Sequence, residues 1–398
     1  MELSEYQHTD AIFRRVGHIT VPYRHFIIVW GGFVGEKLGS VSVISSYCPP
    51  DQLWFYNCLT DVWTLRQSSG EVPGGSSGST AIVHEDQLYI FGGIEETGDG
   101  GWMYNNKLYR LDLRTLTWRR LVGVGRQPQR CDKSVGWYYK QRLYFFGGYG
   151  MRPSDPPSDY HYVIDNSESD RGWNNQFVCY DLVTNSWIKP KSHGTPPTPR
   201  AAHSADINGH FVYIFGGRTG EMRNNEMYCL DMDTMTWSHN LTGDVIGLVP
   251  TGRSWHTFNF VSPNKAALYG GLLKYGSPAM DFWECTIDGN QRVHWYQREK
   301  STEPLCWHQA AFCSYTGDLV IVGGVSTSPY EMGEEDHVDS MVVISYQPKS
   351  LFRLSLDVIL QSELIRYTPK FLERYFPKTL IQLILTRSSQ KKVIQEEF

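Results

Sequence analysis

Two arginines lie five residues apart in the stretch GGRTGEMRNN, at Arg218 and Arg223. A guanidinium group presents paired N–H donors that match the two oxygens of a carboxylate. Ser254, in the stretch GRSWHT, offers a hydroxyl that can add one more hydrogen bond. These three residues suit a site that holds an anion such as a carboxylate, provided that the fold brings them together.

A lysine and several large aromatic residues accompany the arginines elsewhere in the chain: Lys133, Tyr149, Trp173 and Trp255. The lysine adds a further cation to the arginines, and aromatic rings form walls between which a chain can lie. The combination suits a bound chain that carries an anionic group.

Internal repeats reveal the elements that must position these residues. An apolar run ending in Gly-Gly occurs six times, and its second glycine is Gly32, Gly93, Gly148, Gly217, Gly271 or Gly324. Successive copies are 53 to 69 residues apart. The kelch period is about 50 residues, and WD repeats are shorter. Each copy therefore predicts one four-stranded blade, with the apolar run as a strand that is buried on both faces.

A tryptophan closes an alternating stretch after each of the first five runs, at Trp63, Trp118, Trp187, Trp237 and Trp295. We expect each of these side chains to fill the gap between neighbouring blades, which one sheet cannot bury alone. The fold class predicted for the chain is all-β, a six-bladed kelch β-propeller with a C-terminal helical segment.

The predicted boundaries are 1–346 for the propeller and 347–398 for the helical tail. The repeats cover roughly 14–67, 74–122, 128–190, 198–240, 250–298 and 303–346. Blade six has no closing tryptophan strand before the tail, and an unpaired sheet edge invites aggregation. We therefore predict that residues from within Glu2 to Phe13 add a strand to blade six.

Alignment of the repeats separates residues that the fold needs from residues that it does not. One position, at the start of each innermost strand, holds His18, Ser79, Ser134, His203, His256 and His308. Another, three residues earlier, holds Arg15, Ser76, Cys131, Arg200, Arg253 and Leu305. Because these types recur, we predict packing histidines that are hydrogen-bonded within their own blades, and structural arginines.

Two other positions differ from blade to blade. The position before the histidines holds Gly17, Gly78, Lys133, Ala202, Trp255 and Trp307. The position after Gly-Gly holds Phe33, Ile94, Tyr149, Arg218, Leu272 and Val325. Because the innermost strand runs antiparallel to the Gly-Gly strand, both positions lie on one face of the propeller. An insertion from Gly150 to Gly172, which leads to Trp173, emerges there too.

The sequence thus predicts that cations and aromatic residues gather around one mouth of the central channel. An alternative is that Arg218 and Arg223 pair with nearby acidic residues such as Glu221 or Glu226. The protein as a whole carries a net charge of −5, so no global basic field favours nucleic acid.

Composition narrows the classes of protein to which the chain can belong. The chain is 41% hydrophobic and 20% charged, which suits a packed domain. The sequence contains no run of about 18 apolar residues, so it predicts no membrane-spanning helix. The eight cysteines include no Cys-x-x-Cys pair, and the N-terminus has no apolar run of the signal-peptide type. We expect reduced thiols, no metal or cofactor, and a cytoplasmic or nuclear location.

The segment after Tyr346 changes to a helical pattern. Leu351, Leu354, Val358 and Ile359 fall on one helical face, and Pro369 suits the first turn of a second helix. From periodicity alone this is a helical cap on the propeller.

Short motifs in the tail resemble the adaptor-binding boxes of cullin-RING ligase receptors. Leu351, Ser355 and Ile359 resemble a BC box, which inserts into elongin C. Pro369 and Leu372, with neighbouring aromatic residues, resemble a cullin 2 box. That box normally has an apolar residue before the proline, where this chain has Thr368.

Nearly the whole chain resembles the kelch domain-containing protein 1 and 2 family. The matching stretches include CDKSVGWYYKQRLYFFGGYG, RGWNN, FGGRTGEMRNNEMY, GRSWHT and QPKSLFRLSL. Members are non-catalytic substrate receptors of cullin 2 RING ubiquitin ligases, assembled through elongins B and C. They capture proteins by an exposed C-terminus, preferably one ending in diglycine.

The resemblance assigns a role to each candidate residue. Arg218, Arg223 and Ser254 would hold the terminal carboxylate. Lys133 would hydrogen-bond the peptide, and Tyr149, Trp173 and Trp255 would wall it. Leu351, Ser355, Ile359, Pro369 and Leu372 would bind the ligase adaptors.

Two other classes of function compete with this one. A metalloenzyme would need histidines or carboxylates that converge on the channel mouth, and the dense cluster EMGEEDH, residues 331–337, is the best candidate. A ligase-independent scaffold, binding for example actin, a small GTPase or a transcription factor, would lack elongin binding.

Overall fold

A computed structural model describes residues 10–38, 42–97, 101–152, 160–166, 170–245, 247–298, 303–330, 337–361, 376–389 and 394–396. Within these residues six of the sheets, five with four strands and one with five, are arranged as six blades around a channel. The channel has a volume of about 460 Å³ and is lined by the innermost strand of every blade. The predicted fold class, a six-bladed kelch propeller, is confirmed.

Blades one to three each follow the order of the chain from the channel outward. Blade one contains Ile19–Tyr23, Phe26–Trp30, Gln52–Asn57 and Val62–Gln67. Blade two contains Thr80–His84, Gln87–Phe91, Leu108–Asp112 and Thr117–Leu121, with Ser69–Gly70 added at its outer edge. Blade three contains Val135–Tyr139, Arg142–Phe146, Phe177–Asp181 and Ser186–Ile188.

Blades four and five repeat the arrangement, and blade six ends differently. Blade four contains Ser204–Asn208, Phe211–Phe215, Met227–Asp231 and Thr236–Trp237. Blade five contains Thr257–Ser262, Lys265–Tyr269, Phe282–Ile287 and Val293–Gln297. Blade six contains Gln309–Cys313, Asp318–Val322, Val342–Ser345 and Ile394–Glu396.

The Gly-Gly pairs join the blades into a ring. The N–H of the second glycine donates to a backbone carbonyl of the following blade, as in Gly217 to Arg253 at 2.9 Å. The last such bond runs from Gly324 of blade six to Arg15 at the entry to blade one, at 3.0 Å. A side chain cannot replace this glycine, because a Cβ at Gly217 would lie 2.8 Å from the Cβ of His203 at a φ of +99°.

The closing tryptophans fill the gaps between blades, as predicted. Trp118 lies 5.5 Å from Trp30 of the preceding blade, and Trp237 lies 5.4 Å from Phe146, measured between ring centroids. Trp63 instead packs on Phe13, 6.0 Å away, because blade one meets blade six through the N-terminal helical turn.

The recurring arginines are structural, as predicted. Arg253 is fully buried and donates from Nη1 to the Gly270 carbonyl at 3.0 Å, while Asp281 accepts from both of its terminal nitrogens. Arg200 makes the equivalent bond to Gly216 and pairs with Glu226 at 2.6 Å. Each arginine thus ties the start of its blade to the Gly-Gly turn of the same blade.

The recurring histidines correct a prediction. They do not serve their own blades but pack on the preceding ones. His203 of blade four lies edge-on to Phe146 of blade three at 5.8 Å, and His308 of blade six lies edge-on to Tyr269 of blade five at 5.5 Å. The Nε2 of His308 also lies 3.2 Å from the Thr257 hydroxyl of blade five. The reason is that these residues begin the innermost strands, where adjacent blades converge most closely.

The outer edge of blade six is occupied by the end of the tail. Ile394–Glu396 pairs in parallel with Val342–Ser345 at that edge. The segment predicted for this strand, Glu2 to Phe13, lies outside the described residues except for Asp10–Phe13, which is a helical turn, α1. Ile12 and Phe13 enter the hydrophobic core between blades one and six, so this turn contributes buried apolar area there.

The tail contributes helices as well as this strand. Helix α2 is Leu351–Gln361 and helix α3 is Lys378–Ser389, and a short 3₁₀ turn at Leu241–Asp244 lies outside the tail. Pro369 and Leu372 lie outside the described residues. No helix among those described is both long and apolar enough to cross a membrane.

Candidate functional site

Short accessory strands build one mouth of the channel. Many of them begin directly after Gly-Gly or end directly before the innermost strands, and the others pair with these strands, so all of them share one face. The pairs are Phe33–Leu38 with Ser42–Tyr47, Arg218–Thr219 with Met222–Arg223, and Arg253–Ser254 with Leu272–Leu273. Blade two adds Ser76–Ser77, Ile94–Glu96 and Trp102–Tyr104, and blade three adds Cys131–Asp132, Tyr149–Met151, Tyr162–Asn166 and Arg171–Asn174.

A ring of left-handed residues lies at the base of this mouth. It consists of the residues before the histidine position, with φ between 53° and 67°: Gly17, Gly78, Lys133, Ala202, Trp255 and Trp307. From blade two onward, each backbone N–H in the ring donates to the carbonyl of the ring residue in the preceding blade, at 2.7 to 3.0 Å. A side chain in this conformation costs about 1–2 kcal/mol, which glycine avoids. Lys133, Ala202, Trp255 and Trp307 bear that cost, and the side chains of Lys133, Trp255 and Trp307 line the channel.

The two arginines of GGRTGEMRNN are brought directly opposite each other. Arg218 and Arg223 are cross-strand partners in a two-stranded hairpin. The Nε of Arg223 donates to the hydroxyl of Ser254, a buried side chain, at 3.1 Å. The three predicted carboxylate-binding residues therefore form one cluster.

Arg218 is held between two aromatic rings. Its guanidinium carbon lies 5.5 Å from the ring centroid of Trp173 and 5.5 Å from that of Tyr330. Its Nε donates to the Gly220 carbonyl at 2.7 Å, and its Nη1 donates to the Tyr330 hydroxyl at 2.5 Å. The group is thus oriented in advance of any ligand.

The remaining predicted peptide-binding residues continue from this cluster. Trp173 is buried and lies 5.1 Å from Tyr149, whose hydroxyl donates to Asp165 at 2.7 Å. Lys133 lies 5.9 Å from the Tyr149 ring and forms an ion pair with the buried carboxylate of Asp132.

Trp255 reaches the same cluster from the other side, through Tyr330 at 5.9 Å. All seven predicted residues of the mouth therefore belong to one connected set of contacts, and their role in binding stays a prediction.

Tyr330 was missed by the sequence analysis. It contacts both arginines, at 5.5 and 5.9 Å from their guanidinium carbons. Its sequence signal was available, because Tyr330 follows Gly324 by the same six residues that separate Arg223 from Gly217. Trp307, stacked on Trp255 at 5.0 Å, is a second residue of the mouth whose position in the repeat was recognised but not given a role.

The electrostatics of the cluster favour an anion. Like charges placed directly opposite each other on paired strands repel. Burial lowers the pKa of Arg223, and the positive charge of Arg218 lowers it further. Arg218 pairs at 3.4 Å with Glu221, a highly exposed side chain, and Glu226 pairs with Arg200 instead. Arg223 has no carboxylate within ion-pair distance among the described residues.

The described part of the chain contains no cluster of potential metal ligands. No group of three or more histidine, cysteine, aspartate or glutamate side chains converges there. Most of the EMGEEDH cluster, residues 331–336, lies outside the described residues. All eight cysteines are buried free thiols.

Comparisons with known proteins agree with this architecture. A sequence profile of the KLHDC2/KLHL20/DRC7 Kelch-repeats domain matches residues 17–271 and 165–324. Kelch domain-containing protein 1 of Mus musculus is 33% identical over 96% of this chain and 94% of its own length. Kelch domain-containing protein 2 of Bos taurus is 34% identical over 87% of this chain and 84% of its own. The chain belongs to the kelch domain-containing protein 1 and 2 family.

A solved structure supports the fold of this family member. The structure of YjhT superposes with a TM-score of 0.60 and covers 83% of this chain and 95% of its own. Its sequence identity is 14%, so this likeness concerns the fold alone.

Proposed function

We propose that this protein is a non-catalytic substrate receptor of a cullin-RING ubiquitin ligase. In this proposal the mouth binds the free C-terminus of a substrate protein, preferably one ending in diglycine, and the tail helices bind elongin C and cullin 2. The observation that carries the proposal is the opposed pair Arg218 and Arg223, which shares one cluster with Ser254.

A peptide C-terminus fits the charge and shape of this cluster. It has one full negative charge and two oxygens, which two guanidinium groups and a hydroxyl can hold by charge-assisted hydrogen bonds. An anion between the arginines also removes their mutual repulsion. Since Arg218 is already fixed between Trp173 and Tyr330, little side-chain entropy is lost on binding.

Aromatic crowding supports glycine at the last two ligand positions. Trp173 and Tyr149 border the arginines on one side, and Trp255 and Tyr330 border them on the other. A side chain on the terminal residues of the peptide would have to displace one of these rings. Rejection of larger residues would then supply the specificity.

A titration with three peptides tests this site. One peptide ends in free diglycine, one is the same sequence with an amidated C-terminus, and one ends in a free bulky residue. We expect the first to bind at least tenfold more tightly than either of the others, because amidation removes the charge and a bulky residue clashes. Equal affinity for the free and amidated peptides would show that the arginines do not hold a carboxylate.

Helix α2 supports the adaptor part of the proposal. Its outer face exposes a row of apolar side chains, of which Leu351 is 83% exposed. Phe352, Leu354 and Val358 are exposed beside it, and the Ser355 hydroxyl turns back to donate to the Leu351 carbonyl at 2.8 Å. Ser355 is small and exposed four residues after Leu351, as in the BC-box pattern.

The opposite face of α2 is anchored to the propeller. Leu356 and Arg353 are buried, and Arg353 pairs with Asp318 at 2.8 Å and with Asp61 at 3.5 Å. Arg387 of α3 pairs with Asp61 and with Asp357 of α2. The helix is therefore held in place, with its apolar face directed away from the propeller.

Introducing negative charges on the apolar face of α2 tests the proposed binding of elongin C. The double substitution Leu351→Asp with Ser355→Glu should abolish co-purification of elongins B and C, because burial of one leucine side chain contributes about 1.5–3 kcal/mol and a buried unpaired charge costs more. Binding of the diglycine peptide should be unchanged.

Leu248→Asp provides the matched control, since Leu248 is a similarly exposed leucine in the loop between blades four and five. Loss of peptide binding together with elongin binding would show that α2 is only a cap on the fold. Absence of elongins from the wild-type protein would favour a ligase-independent kelch scaffold. The proposal also includes cullin 2 as the cullin that is bound, and a cytoplasmic or nuclear location.

A further inference from the structure

A second concavity opens on the same mouth, away from the arginines. It has a volume of about 250 Å³. It lies above Gly78, where the left-handed ring has no side chain to fill the space. Most of its walls are aromatic or aliphatic: Phe33, Tyr47, Ile94, Trp102 and Trp307.

Two features of this cavity are unusual for a bare surface depression. Trp102 is 55% exposed at its rim. Asp132 at its floor is almost fully buried, and its Oδ1 has no hydrogen-bond partner in the described residues beyond its own backbone N–H. The exposed tryptophan gains apolar contact from a ligand side chain that covers the cavity, whereas the unsatisfied acceptor gains only from a backbone N–H of the same ligand.

A continuous row of aromatic rings joins this cavity to the arginines. From Tyr330 the row runs to Trp255, then to Trp307 and then to Phe33, in steps of 5.9, 5.0 and 5.6 Å between centroids. At roughly 3.3 Å per extended residue, these steps correspond to about five residues of a peptide. A chain whose terminus is held by Arg218 and Arg223 would therefore reach the cavity with its fourth to sixth residue from the end.

We propose that this cavity is a second specificity subsite, which takes a large apolar side chain four to six residues before the C-terminus of the bound protein. The inference rests on the proposed carboxylate site and extends it from the last two residues to an upstream anchor. The volume suits one aromatic or leucine side chain, and the aromatic walls favour ring contacts.

A positional scan tests the subsite. The probes are ten-residue peptides of glycine and serine that end in free diglycine, with one phenylalanine moved through positions three to eight from the C-terminus. Affinity should rise at least tenfold at one position between four and six, and Trp102→Ala should remove that gain while the peptide without phenylalanine binds as before.

Tyr315→Ala serves as the control, since Tyr315 is an exposed aromatic residue in the hairpin turn of blade six on the opposite face. A flat scan in a peptide that still requires its free carboxylate would overturn the subsite and leave the proposed function standing. If no peptide distinguishes the free from the amidated terminus, both proposals fail.

Discussion

Replacement of Arg223 by alanine is expected to weaken binding of a free diglycine peptide at least tenfold, and replacement of Arg218 is expected to do the same. Hydrogen bonds to a charged group contribute roughly 1.5–3 kcal/mol, and 1.4 kcal/mol corresponds to a factor of ten. Fluorescence anisotropy with a labelled peptide measures the change directly.

Arg218→Lys should rescue binding only in part. Lysine keeps the charge but cannot lie flat between Trp173 and Tyr330, and its point charge cannot bond to both carboxylate oxygens in parallel. Arg114→Ala is the matched control, because Arg114 is an exposed arginine in the turn between the outer strands of blade two. Full affinity in the Arg223→Ala protein would contradict a carboxylate clamp, and thermal unfolding of each variant shows whether the fold is intact.

Stability is expected to fall steeply as the pH drops below 6.5, because four histidines are buried between the blades. Burial lowers the pKa of His203 and of His308 to about 3, and lowers that of His18 and His256 well below its ordinary value. In the unfolded chain a histidine titrates near pH 6.5. Between pH 6.5 and about pH 3 the unfolded state therefore binds protons that the folded state does not.

Acidification therefore lowers the free energy of unfolding, by up to about 1.4 kcal/mol per pH unit for each histidine. Asp206 and Asp132 act in the opposite direction, since burial raises the pKa of both carboxyl groups, that of Asp206 to about 6, and their folded forms take up protons first. Four histidines outweigh two aspartates, and the net loss over about two pH units approaches the whole stability of a typical domain.

Urea unfolding between pH 7.5 and pH 5 measures the slope. His203→Ser should flatten it by about a quarter, and serine already occupies this position of the repeat in blades two and three, at Ser79 and Ser134. His193→Ser, at an exposed histidine, should leave the slope unchanged. A stability that is constant from pH 7.5 to pH 5.5 would contradict neutral buried histidines.

Much of the candidate site was accessible from the sequence because the chain contains six copies of one unit. A recurring residue such as Arg253 could be assigned to the fold, whereas Arg218 and Lys133, each found in one blade only, are candidates for contact with a ligand. The antiparallel order of two strands then placed both positions on one face. Tyr330 occupies in blade six the repeat position that Arg223 occupies in blade four, but only the structure shows that the two side chains meet.

Other features required the tertiary structure. The histidines recur in the sequence whether they pack within their own blade or on the preceding one, and only the convergence of the inner strands at the channel decides in favour of the preceding blade. The outer strand of blade six, Ile394–Glu396, is three residues long and carries too little alternation to be recognised.

The sequence by itself therefore determined the repeat, the number of blades, the buried tryptophans and the face that carries the cations, because these depend on local periodicity and on strand direction. Only the tertiary structure decided which residues meet across blades: the opposed arginines between Trp173 and Tyr330, the closure of blade six by the tail, and the cavity above Gly78. The physical reason is that these contacts join residues that are distant in sequence, at distances set by how the blades pack rather than by any pattern within one blade.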